Sequence, residues 1–219
     1  MKKLRMIFVF VALFSVTLQA QEKRMFWHDI QEFKKRDSLN GILQNAILFI
    51  GSSTFTKWLD IAKYFPQKKI INRGFGGSRL SDLNYFADDL LKPYHPKQIV
   101  VYCGDNDFVS EDKPSVDTVV ARFKTFYGKI RQYYPKINVS YISIKHSPSR
   151  EDYWPQMQQA NKQIKAFLKS QKNTSYIDIT KAMNDKNGVI RKDIFLDDML
   201  HMKPSGYVIW EKAIAPYLK

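Results

Sequence analysis

Apolar and polar residues fall in blocks along this chain. Ala46-Ile47-Leu48-Phe49-Ile50 is an unbroken apolar run, partly β-branched and aromatic, that stops at Gly51. A run this short predicts a strand buried on both faces, as in a parallel sheet. Directly after it, Phe55, Trp58, Leu59 and Ala62 recur at three- and four-residue spacing, the period of a helix. The alternation then repeats. Lys69–Asn72 reads as a second strand, followed by the glycine-rich Arg73-Gly74-Phe75-Gly76-Gly77-Ser78, and a helix is expected from about Leu80 to Leu91, stopping before Pro93. Gln98–Cys103 reads as the third strand, Val116–Tyr134 as a long helix closed by Pro135, and Asn138–Ile144 as the fourth strand. Met157–Leu168 lies in a further helix and Ser175–Ile179 reads as the fifth strand. A last helix begins near Pro204, a favoured first-turn residue, and runs to about Leu218. Ahead of the first strand, Met25, Phe26, Ile30 and Phe33 mark an amphipathic helix.

This pattern predicts one doubly wound, three-layer α/β/α domain over residues 46–219, built on a parallel five-stranded sheet of flavodoxin-like order 2-1-3-4-5. Residues 21–45 are expected to pack on it as an N-terminal helix. The 219 residues suffice for a full core. Lys and Arg number 35 against 21 Asp and Glu, but the lysines are scattered or paired, as in Lys34-Lys35 and Lys68-Lys69. No nucleic-acid motif accompanies them, so the balance predicts a basic surface and no nucleic-acid partner. Lys2, Lys3 and Arg5 precede an apolar stretch from Met6 to Val16 and a cleavage-like Leu18-Gln19-Ala20. That is the layout of a signal peptide over residues 1–20, and it predicts a secreted or periplasmic mature chain with no integral membrane span. Leu18 suits its place before the cut poorly, which keeps an uncleaved anchor as the alternative. Cys103 is the single cysteine, so the chain has no internal disulfide, and its apolar strand makes it a small core residue. Nothing in the sequence indicates an oligomeric state.

The candidate chemistry lies at strand ends. Ser52 and Ser53 sit where a strand stops and a helix starts, on the side where open α/β sheets bind ligands. A serine there is either a plain N-cap or a nucleophile beside free helix N–H groups. Gly74 to Ser78 and Gly104-Asp105-Asn106-Asp107 fall on the same sheet edge. Glycine in such turns lets a backbone N–H approach a reacting atom closely. A phosphate loop is excluded, because no G-x-x-x-x-G-K-[ST] occurs and Gly74-Phe75-Gly76-Gly77 lacks the last glycine of G-x-G-x-x-G. Near the C-terminus, Asp198 and His201 are three apart, which on a helical turn puts both on one face. A carboxylate there fixes the imidazole tautomer and favours the imidazolium. His28, His95, His146 and His201 are dispersed and no H-E-x-x-H occurs, so no metal is expected. Asp185-Lys186-Asn187-Gly188 has the outline of a calcium loop but lacks its flanking ligands and reads as a turn. The G-x-S-x-G elbow of ordinary α/β-hydrolases is absent, since Phe55 takes the place of its last glycine.

Four blocks taken in order carry a resemblance. Ile47 to Ser53, Asn72 to Ser78, Gly104 to Asp107 and Asp198 to His201 resemble the motifs of the SGNH hydrolases, or GDSL-type esterases and lipases. The chain is most similar to their bacterial platelet-activating-factor-acetylhydrolase-like branch. The resemblance implies a serine carboxylic ester hydrolase needing no cofactor. It implies Ser53 as nucleophile, His201 as base and Asp198 orienting it. It also implies an oxyanion hole from the Ser53 and Gly77 N–H groups and the Asn106 side chain; counting from Asn72 favours Gly77 over Gly76. Ser52 departs from the family, which has Asp there. The expected substrate is a small-molecule or polysaccharide ester carrying a short acyl group, with Arg73, Arg79, Asp107 and His146 as substrate-binding residues beside the site. Phe55, Phe75 and Phe108 either form a small acyl pocket or pack helices onto the sheet. The alternatives are a lysophospholipase or lipase for longer acyl esters, acyl transfer to a sugar by the same residues, and a catalytically dead carbohydrate-binding module.

Overall fold

Each of the five strands expected from the sequence forms. In the computed structural model, which describes residues 25–219, these are β1 (Ile47–Gly51), β2 (Ile70–Gly74), β3 (Gln98–Tyr102), β4 (Asn138–Ile142) and β5 (Thr174–Ile177). They form one sheet in the order β2-β1-β3-β4-β5, with every neighbouring pair parallel, as the sequence predicts. The leader expected over residues 1–20 lies outside the described residues. The chain divides into two units after Ile42. The first contains helix α1 (Trp27–Asn40), which runs well past the expected Phe33 because nothing breaks it before Gly41, at φ 72°. The second, from Leu43 to Lys219, is the α/β domain. Among the described residues no helix is long and apolar enough to cross a membrane.

The strands of the domain are followed by α2 (Ser53–Thr56) and α3 (Ile61–Tyr64), α4 (Leu80–Tyr85) and α5 (Ala87–Leu91), α6 (Val116–Tyr133), α7 (Trp154–Lys169) and α8 (Pro204–Ile214). One sheet face, carrying Ile47, Phe49, Val100 and Tyr102, packs on Phe55 and Trp58, and on Tyr207, Trp210 and Ile214 of α8. On the other face α4, α6 and α7 lie side by side, with Phe123 of α6 4.6 Å from the Tyr141 ring. Two helices are shorter than the periodicity predicts. The helix expected to run on from Ser53 through Leu59 stops at Thr56 and restarts at Ile61, which leaves Leu59 91% exposed. Four residues containing two β-branched threonines cannot hold a helix alone. The chain instead bends to insert Trp58 between Tyr207 (4.7 Å), Tyr64 (5.2 Å) and Trp210 (6.4 Å). The Leu80–Leu91 helix likewise breaks at Phe86, whose backbone leaves the helical region as its buried ring meets Tyr85 and Phe75.

The strand register aligns the chemistry. Gly51 pairs with Gly74 on one side and with Tyr102 on the other, so the turns after β1, β2 and β3 leave the sheet at one level. Backbone contact there leaves no room for side chains. A Cβ on Gly74 would lie 2.6 Å from Phe55 Cβ and 2.7 Å from Thr56 N. Gly74→Ala should therefore push α2 off the end of β2. The expected result is a loss of about 1–3 kcal/mol in urea unfolding, as for other overpacked sites.

Candidate active site

Ser53 opens α2 where β1 ends. Ser52 before it keeps an extended backbone, and its carbonyl accepts the N–H groups of Phe55 (2.9 Å) and Thr56 (3.2 Å). This tight turn sorts the two serines: Ser52 is fully buried and Ser53 is half-buried. The Ser52 hydroxyl, at the position where the resemblance expects a carboxylate, has no hydrogen-bond partner among the described residues. Asn72 holds the turn from the neighbouring strand. Its Nδ2 donates to the Phe55 carbonyl (2.8 Å) and its Oδ1 accepts the Gly74 N–H (2.9 Å). The signal for this role in the sequence is a polar residue directly after the apolar Ile70-Ile71 of a strand.

The glycine loop passes beside the serine. A Cβ on Gly76 would come within 4.0 Å of Ser53 Cβ. Gly77 takes φ 85°, which glycine adopts without strain. The backbone N–H groups of Ser53 and Gly77 donate to no other group among the described residues. Asn106 begins a single 3₁₀ turn, Asn106–Val109, whose first N–H is accepted by Asp105 Oδ1 at 3.1 Å. Its side-chain Nδ2 donates to the Ser78 carbonyl at 3.1 Å, which fastens it to the glycine loop. An amide nitrogen has two hydrogens, so one remains to donate elsewhere.

Asp198 and His201 do meet, but not on the helical turn that their spacing suggests. The carboxylate builds its own tight loop. Asp198 Oδ1 accepts the N–H groups of Leu200 and His201, both at 2.9 Å, while Met199 is held at φ 52°. Asp198 Oδ2 lies 2.6 Å from His201 Nδ1. Burial pushes the Asp198 carboxyl up, but hydrogen bonds from the His201 ring and from the His201 and Leu200 N–H groups bring it down to about 2. The carboxylate is therefore ionised at neutral pH, and Nδ1 carries the proton that it accepts. The other ring nitrogen, Nε2, is buried and has no hydrogen-bond partner among the described residues. The loop is tied down by an antiparallel bridge between Phe195 and Met202 and by the Leu196 N–H to His201 carbonyl bond (2.7 Å). From α8, the Tyr207 hydroxyl donates to the carbonyl of Thr54 (2.9 Å), the residue after Ser53. This bond and the stack of Tyr207 on Trp58 join the histidine segment to the serine segment.

The four residues expected to bind substrate are placed differently. Arg73 is buried; its Nε donates to the Tyr94 hydroxyl (2.6 Å) and its Nη1 to the Asn72 carbonyl (2.8 Å), so it braces β2. Asp107 is fully buried as well. Its Oδ2 accepts the Leu80 N–H at the start of α4 (2.9 Å) and its Oδ1 pairs with Arg122 (2.9 Å). In this buried frame both polar groups, expected to face substrate, are held by protein partners. Arg79 is held by Asp82, through its N–H (2.8 Å) and Nε (3.3 Å), and remains partly exposed. His146 stays partly exposed, 2.6 Å from Glu151 and stacked on Trp154 at 4.3 Å. Phe55, Phe75 and Phe108 are buried; Phe55 packs on Phe49 (5.2 Å) and Phe75 on Phe86 (6.2 Å). A cleft of about 440 Å³ beside Asp198 is lined by Pro148, Ser149, Lys192, Asp198 and Met199. Among the described residues no group of three His, Cys, Asp or Glu could hold a metal. Asp185 closes a plain turn by accepting the Asn187 and Val189 N–H groups.

The model of the GDSL-like lipase/acylhydrolase family matches residues 50–209, more than two thirds of the chain. No curated protein matches it. Several solved structures share the fold. A protein from Streptococcus pneumonia with a provisional platelet-activating-factor description superposes with a TM-score of 0.77 at 21% identity, over 95% of this chain and 99% of that one. A GDSL-like lipase from Bacteroides thetaiotaomicron gives 0.72 at 18% identity, over 86% and 97%. A carbohydrate esterase family 3 protein from Talaromyces cellulolyticus gives 0.62 at 12% identity, over 78% and 95%. At these identities the likeness is one of fold.

The buried Asp107 has a consequence for stability. Burial pushes its carboxyl up to about 6, against the lowering effect of the Leu80 N–H and of Arg122. The native state therefore holds this proton between about pH 4 and 6 while the unfolded chain has released it, so stability falls as pH rises through that window. Urea unfolding should show a contribution of up to roughly 3 kcal/mol lost from pH 4 to pH 7. Subtracting the same series for Asp107→Asn, which cannot ionise, isolates the effect.

Proposed function

The chain belongs to the GDSL-like lipase/acylhydrolase family and is a carboxylic ester hydrolase; we propose that it is an exported serine esterase that removes short, acetyl-like acyl groups from a hydroxylated substrate such as a carbohydrate. The observation that carries the mechanism is the state of His201. Its Nδ1 is clamped by an ionised Asp198, and its Nε2 is buried and unpartnered. That is a base prepared to accept a proton at one defined atom.

In this reading Ser53 Oγ attacks the acyl carbonyl and passes its proton to His201 Nε2. The N–H groups of Ser53 and Gly77 and the spare Nδ2 hydrogen of Asn106 hold the developing oxyanion. The intermediate collapses to an acyl-enzyme as His201 returns the proton to the leaving alkoxide oxygen. Water then repeats the cycle, giving the acid and free Ser53. Asp198 stabilises the imidazolium at each stage without itself taking the proton. No step calls for a metal or cofactor.

Phe55, Phe75 and Phe108, the candidates for a small acyl pocket, pack in the core instead. One feature supports the polar leaving group. The cleft beside Asp198 offers Ser149 and Lys192, groups suited to a sugar or another hydroxylated alcohol. Export is supported by the basic start and the apolar Met6 to Val16 stretch of the sequence.

Asp198→Asn should lower kcat by about 10²–10⁴, because an amide in place of the carboxylate leaves the imidazole in the wrong tautomer. Asp197→Asn should change kcat less than about twofold, since the loop uses only Asp198 to order its backbone. Equal losses would reject the assignment of the pair. The substrate reading is checked by kcat/KM over aryl esters from acetate to decanoate at fixed pH. A maximum at acetate or propionate is expected, whereas a steady rise with chain length would indicate a lipase.

A further inference from the structure

Lys145 takes no part in these steps, yet its ammonium is buried just beyond β4 and only 1% of the residue is exposed. Nζ lies 3.2 Å from Asp105 Oδ2 and 3.1 Å from the Tyr102 hydroxyl, and the Tyr102 hydroxyl donates to the same Asp105 oxygen at 3.1 Å. Lys145 is itself held in place. Asn161 of α7 grips the preceding peptide units, accepting the Ile144 N–H (2.8 Å) and donating to its carbonyl (2.9 Å). One residue further back, Ser143 Oγ accepts the Ile179 N–H (3.1 Å).

A buried ion pair is weak grounds for stability, because an apolar pair of similar volume usually serves as well. What this pair touches gives it a use. The free oxygen of the paired carboxylate, Asp105 Oδ1, accepts the N–H of Asn106 and so sets where that turn begins. Burial pushes the Asp105 carboxyl up, but the Lys145 charge and the hydrogen bonds from Lys145 and Tyr102 draw it below its ordinary range, so the carboxyl is ionised. Without the ammonium, a bare carboxylate in a poorly screened interior would stand one residue from a donor meant to receive negative charge, and repulsion there is strong.

We infer that Lys145 and Asp105 are positioning residues for Asn106: the ammonium fixes and neutralises the carboxylate that caps the Asn106 turn, so the Asn106 amide can meet an oxyanion with no uncompensated charge beside it. The inference rests on the proposed oxyanion role of Asn106. It explains why both charges are buried together between the ends of β3 and β4 and why one carboxylate oxygen serves each neighbour.

The test is steady-state hydrolysis of an aryl acetate by the wild-type chain, Asn106→Ala, Lys145→Met, Lys145→Arg and the paired Lys145→Met/Asp105→Asn, with folding of each confirmed by a thermal melt. Lys145→Met should lower kcat about 10–100-fold with KM within about twofold, because misplacing a transition-state donor leaves substrate binding intact. The paired variant keeps an oxygen to accept the Asn106 N–H and leaves no bare charge, so it should recover to within about tenfold of wild type. If Lys145→Met does not fold, Lys145→Arg decides, since it keeps the charge but not the geometry and should lower kcat at constant KM. A folded Lys145 variant with wild-type kcat, alongside an impaired Asn106→Ala, overturns the inference. So does a paired variant no faster than a folded Lys145→Met. Wild-type kcat in Asn106→Ala overturns the oxyanion reading, and the inference with it.

Discussion

Backbone meets backbone where α2 rests on the end of β2, with no side chain between them. Gly74 allows it, and Asn72 secures it with one hydrogen bond to α2 and one to its own strand. Everything proposed for the site descends from this contact. It fixes the turn that separates a buried Ser52 from a half-buried Ser53. It also sets the level at which the glycine loop crosses the serine. Gly51, registered between Gly74 and Tyr102, extends the same constraint to β3. A Cβ there would fall 1.9 Å from the Tyr102 carbonyl oxygen, so β1 must end without a side chain where β3 lies against it.

The order of the strands and the position of the serine were legible because both follow from local pattern. Short apolar runs with glycine stops give strands, and the next apolar spacing gives a helix. What the pattern could not convey was how far a helix runs once tertiary packing competes with it. Trp58 and Phe86 each end a helix early because an aromatic ring gains more from the core than four residues gain from another helical turn. Leu59 satisfies the helical spacing and still points to solvent. The Asp198–His201 pair was legible as a pair but not as a shape. Its carboxylate organises a loop through backbone N–H groups, which no spacing rule for helices foresees.

The polar residues around the motifs were the least legible part. Arg73 and Asp107 look like substrate-facing groups because they stand beside strand-end turns, yet each is buried with a protein partner distant in sequence: Tyr94 for one, Leu80 and Arg122 for the other. Sequence proximity to a site says nothing of which way a side chain turns. Lys145 and Asp105 make the same point in reverse. They are charged residues of the kind assigned to a surface, and they form an enclosed pair through a contact between the ends of β3 and β4. The site is therefore held by a polar frame behind it as much as by the motif residues in front.

Cys103 sits inside that frame. Its Sγ lies 3.5 Å from the Ser78 carbonyl, the same oxygen that receives the Asn106 amide. Burial, followed by the nearby charges of Asp107 and Asp105, pushes its thiol well up, so little thiolate exists in the closed state. A single sulfhydryl shielded in this way is a sentinel for the joint between the glycine loop and the Asn106 turn. It is chemically silent while the joint is shut and open to a small electrophile only when the joint parts. Its alkylation rate would count those openings directly, with no substrate present, and so separate how often the site comes apart from how fast it turns over.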